Sequence, residues 1–277
     1  MTDVAATYDF VSRPASLWSQ TLVFARRNAQ HIRQVPEKLL DVTLQPLMFV
    51  TLFAYVFGGA IHVTGGGNYR EYLLGGILIQ SLGFGMMGPG VSMASDLEEG
   101  VVSRFRSMPS TSTAYLLGHY LAEFAGLVLS IAILFGAGLV VGWRPHTDML
   151  QAGEALLLLA LFASAMVWLG MFLGLVVRSA DAVQGIGFTV VFPLTFTSSA
   201  FVPVSTLPNV LQWVATYNPY SILINATRSL LGNPVGTPAK DVWIAHHAVG
   251  GAFAICAAIL VVVIPLVVRR FKVRTTD

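Results

Sequence analysis

The chain has 277 residues, of which 55% are hydrophobic and only 11% charged, with a net charge of +2 and a mean hydropathy of +0.70. A soluble domain carries about 25% charged residues, so this composition excludes a disordered chain, a nucleic-acid-binding domain and an ordinary cytosolic enzyme. The single cysteine, Cys256, excludes a disulfide scaffold and a multi-cysteine metal site.

What remains is an integral membrane protein, with room for about six helices at roughly 20 apolar residues each. Residues 1–38 carry Asp3, Asp9, Arg13, Arg26, Arg27, Arg33, Glu37 and Lys38 and no early apolar run. They do not read as a signal peptide, and the N-terminus is expected to stay on the side where it is made. Ser16, following Pro14, is placed to cap a first helix. In that helix Trp18, Leu22, Ala25, Ala29 and Ile32 form one apolar stripe flanked by Arg26, Arg27 and Arg33. The pattern predicts a helix lying in the membrane interface; a helix packed against the membrane domain is compatible with it.

Six spans follow. The first covers about Leu39–Gly59 and carries Asp41, Gln45 and Pro46 early. The second is Tyr72–Ser95, the third Ala114–Val141 with Glu123 in its first half, and the fourth Ala155–Val177. The uncharged stretch Ala182–Thr227 is too long for one span and is interrupted by Pro193, Pro203, Pro208 and Pro219. The sixth span is about Val249–Val268, stopped by Arg269 and Arg270.

With the N-terminus inside, twelve of the 16 Lys and Arg residues fall on the inner side. Outside remain Arg70, Arg144, Arg228 and Lys240. Basic residues favour the cytoplasmic side, so both termini are expected to be cytoplasmic. The same bias makes Ala182–Thr227 cross once, near Ala182–Val202, because a second crossing would put the basic tail outside. Residues Val204–Asn233 then read as two short helices around a break at Tyr217–Asn218–Pro219–Tyr220, a hairpin on the outer face dipping into the membrane edge. Irregular backbone at that depth is tolerated where it packs on protein or lines water. The resulting fold class is all-α: six transmembrane helices, an N-terminal interfacial amphipathic helix and an outer hairpin between spans five and six. Its divisions are a cytoplasmic segment 1–38, a six-span domain 39–268 and a basic cytoplasmic tail 269–277.

The chain contains no GxxxxGK[ST] phosphate loop, and the run Gly65–Gly67 has no lysine, so it does not bind ATP by that route. His246 and His247 are adjacent and point to different helix faces, and His62, His119 and His146 have no partners at ligand spacing. No metal site and no catalytic group is expected. The GxxxG pairs Gly138/Gly142 and Gly170/Gly174 predict close helix packing within the chain. Glu123 is the acid inside a span. It reads either as a polar contact on a translocation path or as a carboxylate snorkelling to the cytoplasmic headgroups.

The segment Asp96–Pro109 is the first cytoplasmic loop. It holds three acids, a glycine and then Arg104 and Arg106, in a chain that otherwise spends little charge. Such a loop suits docking to a soluble partner by complementary charge.

The run Glu98–Glu99–Gly100–Val101–Val102–Ser103–Arg104–Phe105–Arg106–Ser107–Met108–Pro109, followed by Tyr115–Leu116–Leu117–Gly118, resembles the first cytoplasmic loop of ABC-2-type permeases. These are the membrane subunits of bacterial ABC exporters, and the wording is nearest the daunorubicin-resistance type. Phe201–Val202–Pro203 with Leu207–Pro208 and Asn218–Pro219–Tyr220 is similar to that family's outer hairpin. The resemblance spans essentially the whole chain. It implies a homodimer or heterodimer of permeases in the bacterial plasma membrane, with ATP and Mg bound by separate ATP-binding subunits and no cofactor in this chain. It implies coupling to the ATPase through Glu98, Glu99, Gly100, Arg104, Phe105 and Arg106. It also implies a substrate path at the dimer interface, lined by spans two and five. By span position the path candidates are Gln80, Phe84, Met87, Thr189, Phe192, Phe196 and Thr197, with Glu123 beside them. The function expected is export of a hydrophobic or amphipathic small molecule, a drug or a lipid-like compound. Export of a lipid-linked polysaccharide is the alternative within transport; a passive channel and a membrane-embedded enzyme are rivals outside it.

Overall fold

The computed structural model of the protein describes residues 18–19, 21–26, 36–56, 68–100, 112–177, 179–236, 238 and 242–276. These residues are helical almost throughout. A short helical segment at 21–26 precedes α1 (Pro36–Val56), α2 (Tyr69–Phe84), α3 (Met87–Glu98), α4 (Ser112–Val141), α5 (Met149–Val176) and α6 (Ala180–Phe196). A 3-10 turn at Val204–Thr206 leads into α7 (Asn209–Tyr217) and α8 (Pro219–Leu230). The one-turn α9 (Trp243–His246) precedes α10 (Ala248–Thr276), which runs unbroken into the basic tail.

Among the described residues, four stretches are long and apolar enough to cross a membrane: Tyr69–Glu98, Thr113–Val141, Met149–Val176 and Ala248–Arg274. Two shorter apolar helices, Leu47–Val56 and Ala180–Phe196, accompany them.

Local chemistry sets the helix starts. Asn68 accepts a 3.0 Å hydrogen bond from the Arg70 amide at the start of α2, and Glu71 follows in the first turn, where an acid complements the helix dipole. Asp148 caps α5 through the Gln151 amide at 2.8 Å, and Ser179 caps α6 through Ala182 at 3.2 Å. Asn218 accepts from the Tyr220 amide at 2.8 Å, and Pro219 occupies the first helical position of α8, where its missing N–H costs nothing.

The second span is one rod whose helical bonding is interrupted at Gly85–Met86, its bend. Gly85 and Met86 keep helical torsions between α2 and α3. Pro89 cannot donate to the carbonyl four residues back, which belongs to Gly85, and its ring crowds that carbonyl. The bend sits where that bond is missing.

α5 packs on α3 and α10, α3 also on α6, and α1 on α4 and α2. α8 lies between α2 and α10. In Gly170/Gly174 the backbone of α3 comes in directly: a methyl at Gly170 would collide with the Met86 carbonyl, and one at Gly174 with the Gly90 carbonyl. That GxxxG pair therefore serves packing within the chain. A methyl at Gly138 would press to within 3.0 Å of the Leu74 side chain of α2, closer than ordinary packing, whereas Gly142 ends α4 with φ +103°. The span from α2 into α3 is the most enclosed, 61% of its most apolar window being buried, and α10 the least, at 22%. α10 and α4 accordingly present Val261, Val262, Val128 and Leu129 outward.

Candidate functional site

The side chains expected along a path converge on a ladder of phenylalanines. Phe188, Phe192 and Phe196 recur every fourth residue on α6 and so share one face. Phe84, at the bend of the second span, meets Phe188 with ring centroids 5.7 Å apart. Phe188 stacks on Phe192 at 5.2 Å and Phe192 on Phe196 at 4.3 Å. Phe196 reaches Phe201 at 5.2 Å, and Phe201 stacks on Phe53 of α1 at 4.5 Å. The α6 rings remain 40–50% exposed, while Phe201 is buried. The ladder climbs from the bend to the far end of α6 and closes against α1.

The other expected path residues distribute around it. Met87 packs its side chain over Gly187, where a methyl would come within 3.0 Å of it. Thr189 donates to the Gly185 carbonyl of its own helix at 2.7 Å. Thr197 donates to the Pro193 carbonyl at 2.7 Å and accepts from Asn218 Nδ2 at 3.1 Å, tying the end of α6 to the start of α8. Gln80 is buried within α2, outside the ring contacts. Glu123 lies away from the ladder, its carboxylate against the first turn of α3: a methyl at Gly88 would sit 3.4 Å from Oε2. Phe188 and Phe201 were not among the expected path residues, although the four-residue spacing of Phe188, Phe192 and Phe196 is visible in the sequence.

At the other end of the second span, Glu98 is the last residue of α3 and Glu99 its C-cap. Both are exposed. Gly100 has φ +66° and donates to the Leu97 carbonyl at 3.2 Å. A left-handed residue just past a helix end is the position that favours glycine, which accounts for the Glu–Glu–Gly order. Arg104, Phe105 and Arg106 lie outside the described residues.

The Tyr115–Gly118 motif has a defined role beside this loop. Tyr115 donates to Asp96 Oδ2, in the last turn of α3, at 2.5 Å. Its ring meets Phe24 edge-on at 5.8 Å and stacks on Phe271 of α10 at 5.3 Å. Gly118 admits the N-terminal segment: a methyl there would lie 2.5 Å from Phe24 Cβ and 2.9 Å from the Thr21 carbonyl. Thr21 and Phe24 are thus the protein-facing residues of that segment, while Trp18 and Leu22 of the apolar stripe face outward. Packing against the membrane domain, one of the two expectations for this segment, is seen at Thr21 and Phe24. Ser16, Ala29 and Ile32 lie outside the described residues.

The largest departure from expectation is Arg228. It was grouped with the outer loop charges, yet it is 0% exposed. Nε donates to the Tyr72 carbonyl at 2.7 Å and Nη2 to the Ala200 carbonyl at 3.0 Å. Nη1 stands 3.5 Å from Ser199 Oγ and from Asn225 Oδ1. The guanidinium carbon lies 3.4 Å from the centre of the Tyr72 ring. Gly75 and Gly76 open the space: a methyl at Gly75 would come within 2.7 Å of Arg228 Cγ, and one at Gly76 would collide with the Ala200 carbonyl. A glycine pair inside an apolar helix was the sequence signal for this buried side chain.

Residues 19–231 match the family described as ABC-2 type transporter. The daunorubicin resistance ABC transporter permease protein DrrB1 of Streptomyces coeruleorubidus is 30% identical over 258 residues, which cover 93% of this chain and 88% of that protein. A putative transport permease, ycf38, of Cyanophora paradoxa is 23% identical over 216 residues, 76% of this chain and 73% of its own. The doxorubicin resistance ABC transporter permease protein DrrB of Mycobacterium tuberculosis is 29% identical over 119 residues, 42% of this chain and 40% of its own. These relatives are permeases, membrane subunits whose ATPase is a separate subunit. By the family match and by its likeness to DrrB1 over nearly its whole length, the chain belongs to the ABC-2 type transporter family.

Proposed function

We propose that the protein is the membrane permease of an ATP-driven exporter that moves a hydrophobic or amphipathic small molecule, drug-like or lipid-like, out of the cell. The observation that carries this reading is the phenylalanine ladder from Phe84 to Phe53. Partly exposed, stacked rings offer an apolar, planar-faced surface that suits aromatic amphiphiles, since offset ring contacts add about 0.5–1.5 kcal/mol each beyond burial. The drug-resistance relatives named for daunorubicin and doxorubicin fit such a cargo.

In this reading α1 and α6 complete six spans with the four long helical stretches. At about 1.5 Å per residue, the 17 residues of α6 reach about 25 Å, short enough that residues 197–203 finish the crossing. The α7–α8 pair is the outer hairpin. Both termini are cytoplasmic in the bacterial plasma membrane, residues 1–38 and 269–277 flanking the membrane domain. An ABC ATP-binding subunit holding ATP and Mg docks on Glu98, Glu99, Gly100, Arg104, Phe105 and Arg106. A second permease copy faces the ladder across a shared path, and lipid covers α4 and α10.

The test is co-reconstitution with the ATP-binding subunit and measurement of ATP hydrolysis against a panel of planar aromatic amphiphiles and aliphatic lipids. Stimulation by members of either group supports the exporter reading. ATP hydrolysis indifferent to every compound, with no ATP-dependent movement of any, would overturn it.

A further inference from the structure

The peptide that follows α6 leaves the helix at residues 197–200 and crosses over α2. Three successive carbonyls of this strap are each taken by a different side chain. Tyr72 donates its hydroxyl to the Ser199 carbonyl at 2.9 Å. Arg228 donates Nη2 to the Ala200 carbonyl at 3.0 Å. Tyr69 donates its hydroxyl to the Phe201 carbonyl at 3.0 Å. The Ser199 amide in turn donates to Ser221 of α8 at 3.0 Å. Helical carbonyls have partners in the next turn; unwound ones at membrane depth need partners from elsewhere, and here they are supplied from α2 and α8.

We propose that Arg228 is the positioning residue of an outer gate, pinning α8 and the strap 198–201 onto α2 while the path is closed. This rests on the exporter reading above. Two features separate a gate from a permanent clamp. First, among the described residues the hydrogen-bond acceptors of Arg228 are neutral: two carbonyls, a hydroxyl and an amide oxygen. A guanidinium that leaves neutral acceptors for water strands no opposite charge behind it, whereas parting a buried ion pair leaves an uncompensated buried charge. Second, the strap carries the ring that joins the α6 part of the ladder to α1. Phe201 sits between Phe196 of α6 and Phe53 of α1, and its own carbonyl is held by Tyr69. Lifting the strap therefore withdraws the ring that closes the ladder. The gate opens when Arg228 lets go of the Tyr72 and Ala200 carbonyls and takes water instead; it shuts when Gly75 again receives the side chain and Gly76 the Ala200 carbonyl.

The experiment uses the permease assembled with its ATP-binding subunit in right-side-out vesicles, with Cys256→Ala and Ser199→Cys as reporter. Position 199 is 1% exposed, so an impermeant maleimide added outside should react slowly at rest. During ATP turnover the rate should rise by about tenfold, the measure of a minor open state becoming common. Adding Arg228→Met should make labelling fast at rest and independent of ATP, while Arg228→Lys, which keeps the charge but not the fork of donors, should fall between. If Arg228→Met fails to assemble with the ATPase, the turnover labelling and the Lys variant decide. Equal labelling at rest and during ATP hydrolysis would overturn the gate. So would parental labelling at rest in an assembled Arg228→Lys or Arg228→Met. Neither result bears on whether cargo is pumped, which is read separately as ATP-dependent cargo movement; loss of that movement with labelling still responsive to ATP would sink the exporter reading and leave the gate standing.

Discussion

The Tyr115 hydroxyl donates a 2.5 Å hydrogen bond to the Asp96 carboxylate, joining the first turn of α4 to the last turn of α3. Three elements converge on that one ring: the N-terminal segment through Phe24, α10 through Phe271, and α3 through Asp96. Asp96 is two residues from Glu98, where the proposed coupling loop begins. If the loop docks the ATP-binding subunit as proposed, a push on it would reach the N-terminal segment and the last span through this one side chain.

Tyr115→Phe keeps the two ring contacts and removes the hydroxyl. A hydrogen bond to a charged group contributes about 1.5–3 kcal/mol, so cargo-stimulated ATP hydrolysis should fall roughly tenfold or more while the subunits still co-purify. Asp96→Asn retains an acceptor and should lose less. Parental stimulation in Tyr115→Phe would show that the hydroxyl does not carry the coupling.

Charge reversal tests the docking loop itself. Glu99 is exposed at the end of α3, so Glu99→Lys leaves the helix packing intact. Truncating one partner of a desolvated charge pair costs about 2–5 kcal/mol, against about 0–1 kcal/mol for an exposed pair. Glu99→Lys and Arg104→Glu should each cut co-purification of the ATP-binding subunit by an order of magnitude or more without affecting insertion. Undiminished co-purification would reduce the segment to a solvated connection.

The ladder predicts altered selectivity at constant expression. Phe192 stacks on both neighbours, at 5.2 Å and 4.3 Å. Phe192→Ala should weaken stimulation by planar aromatics by roughly fivefold to tenfold, a loss of about 1–1.5 kcal/mol of ring stacking, and spare aliphatic compounds. Phe192→Tyr should behave as the parent. An unchanged cargo profile in Phe192→Ala and Phe84→Ala would make these rings lipid-facing packing.

Packing between α3 and α5 gives a prediction of stability. Gly174→Val places side-chain atoms against the Gly90 carbonyl and Met93; overpacking of this kind costs about 1–3 kcal/mol. It should lower the unfolding temperature in detergent. Gly153→Ala on the same helix has nothing within 4 Å and should hold or slightly raise that temperature, with a stability gain of up to about 1 kcal/mol. Equal unfolding temperatures for Gly174→Val and the parent would mean that the two helices do not meet at these glycines.

Much of the helical layout was readable because lipid demands long apolar runs and because Asn218–Pro219 both ends one helix and starts the next. The bend of the second span was also encoded, in Pro89, but a kink of helical torsions does not interrupt the hydropathy that marks a span. Arg228 escaped because counting basic residues places a charge on one side of a membrane and says nothing of its depth; the Gly75–Gly76 recess is what lets it go inside. The ladder was half visible. Phe84, Phe192 and Phe196 came from span position, but Phe201 joined only once the strap folded back between α1 and α6, a contact that no periodicity within one helix contains. The protein-facing side of the N-terminal segment was likewise set by Gly118, some ninety residues away, and not by the segment's own apolar stripe.

ATP-driven outward movement along the ladder is read as uptake into inside-out vesicles. The permease is assembled with its ATP-binding subunit and a fluorescent planar aromatic amphiphile is supplied outside, on the cytoplasmic face. Accumulation in the lumen should require hydrolysable ATP and drop sharply in Phe192→Ala. Uptake at the same rate with and without ATP, or ATP-driven uptake unaffected by loss of the ladder rings, would contradict it.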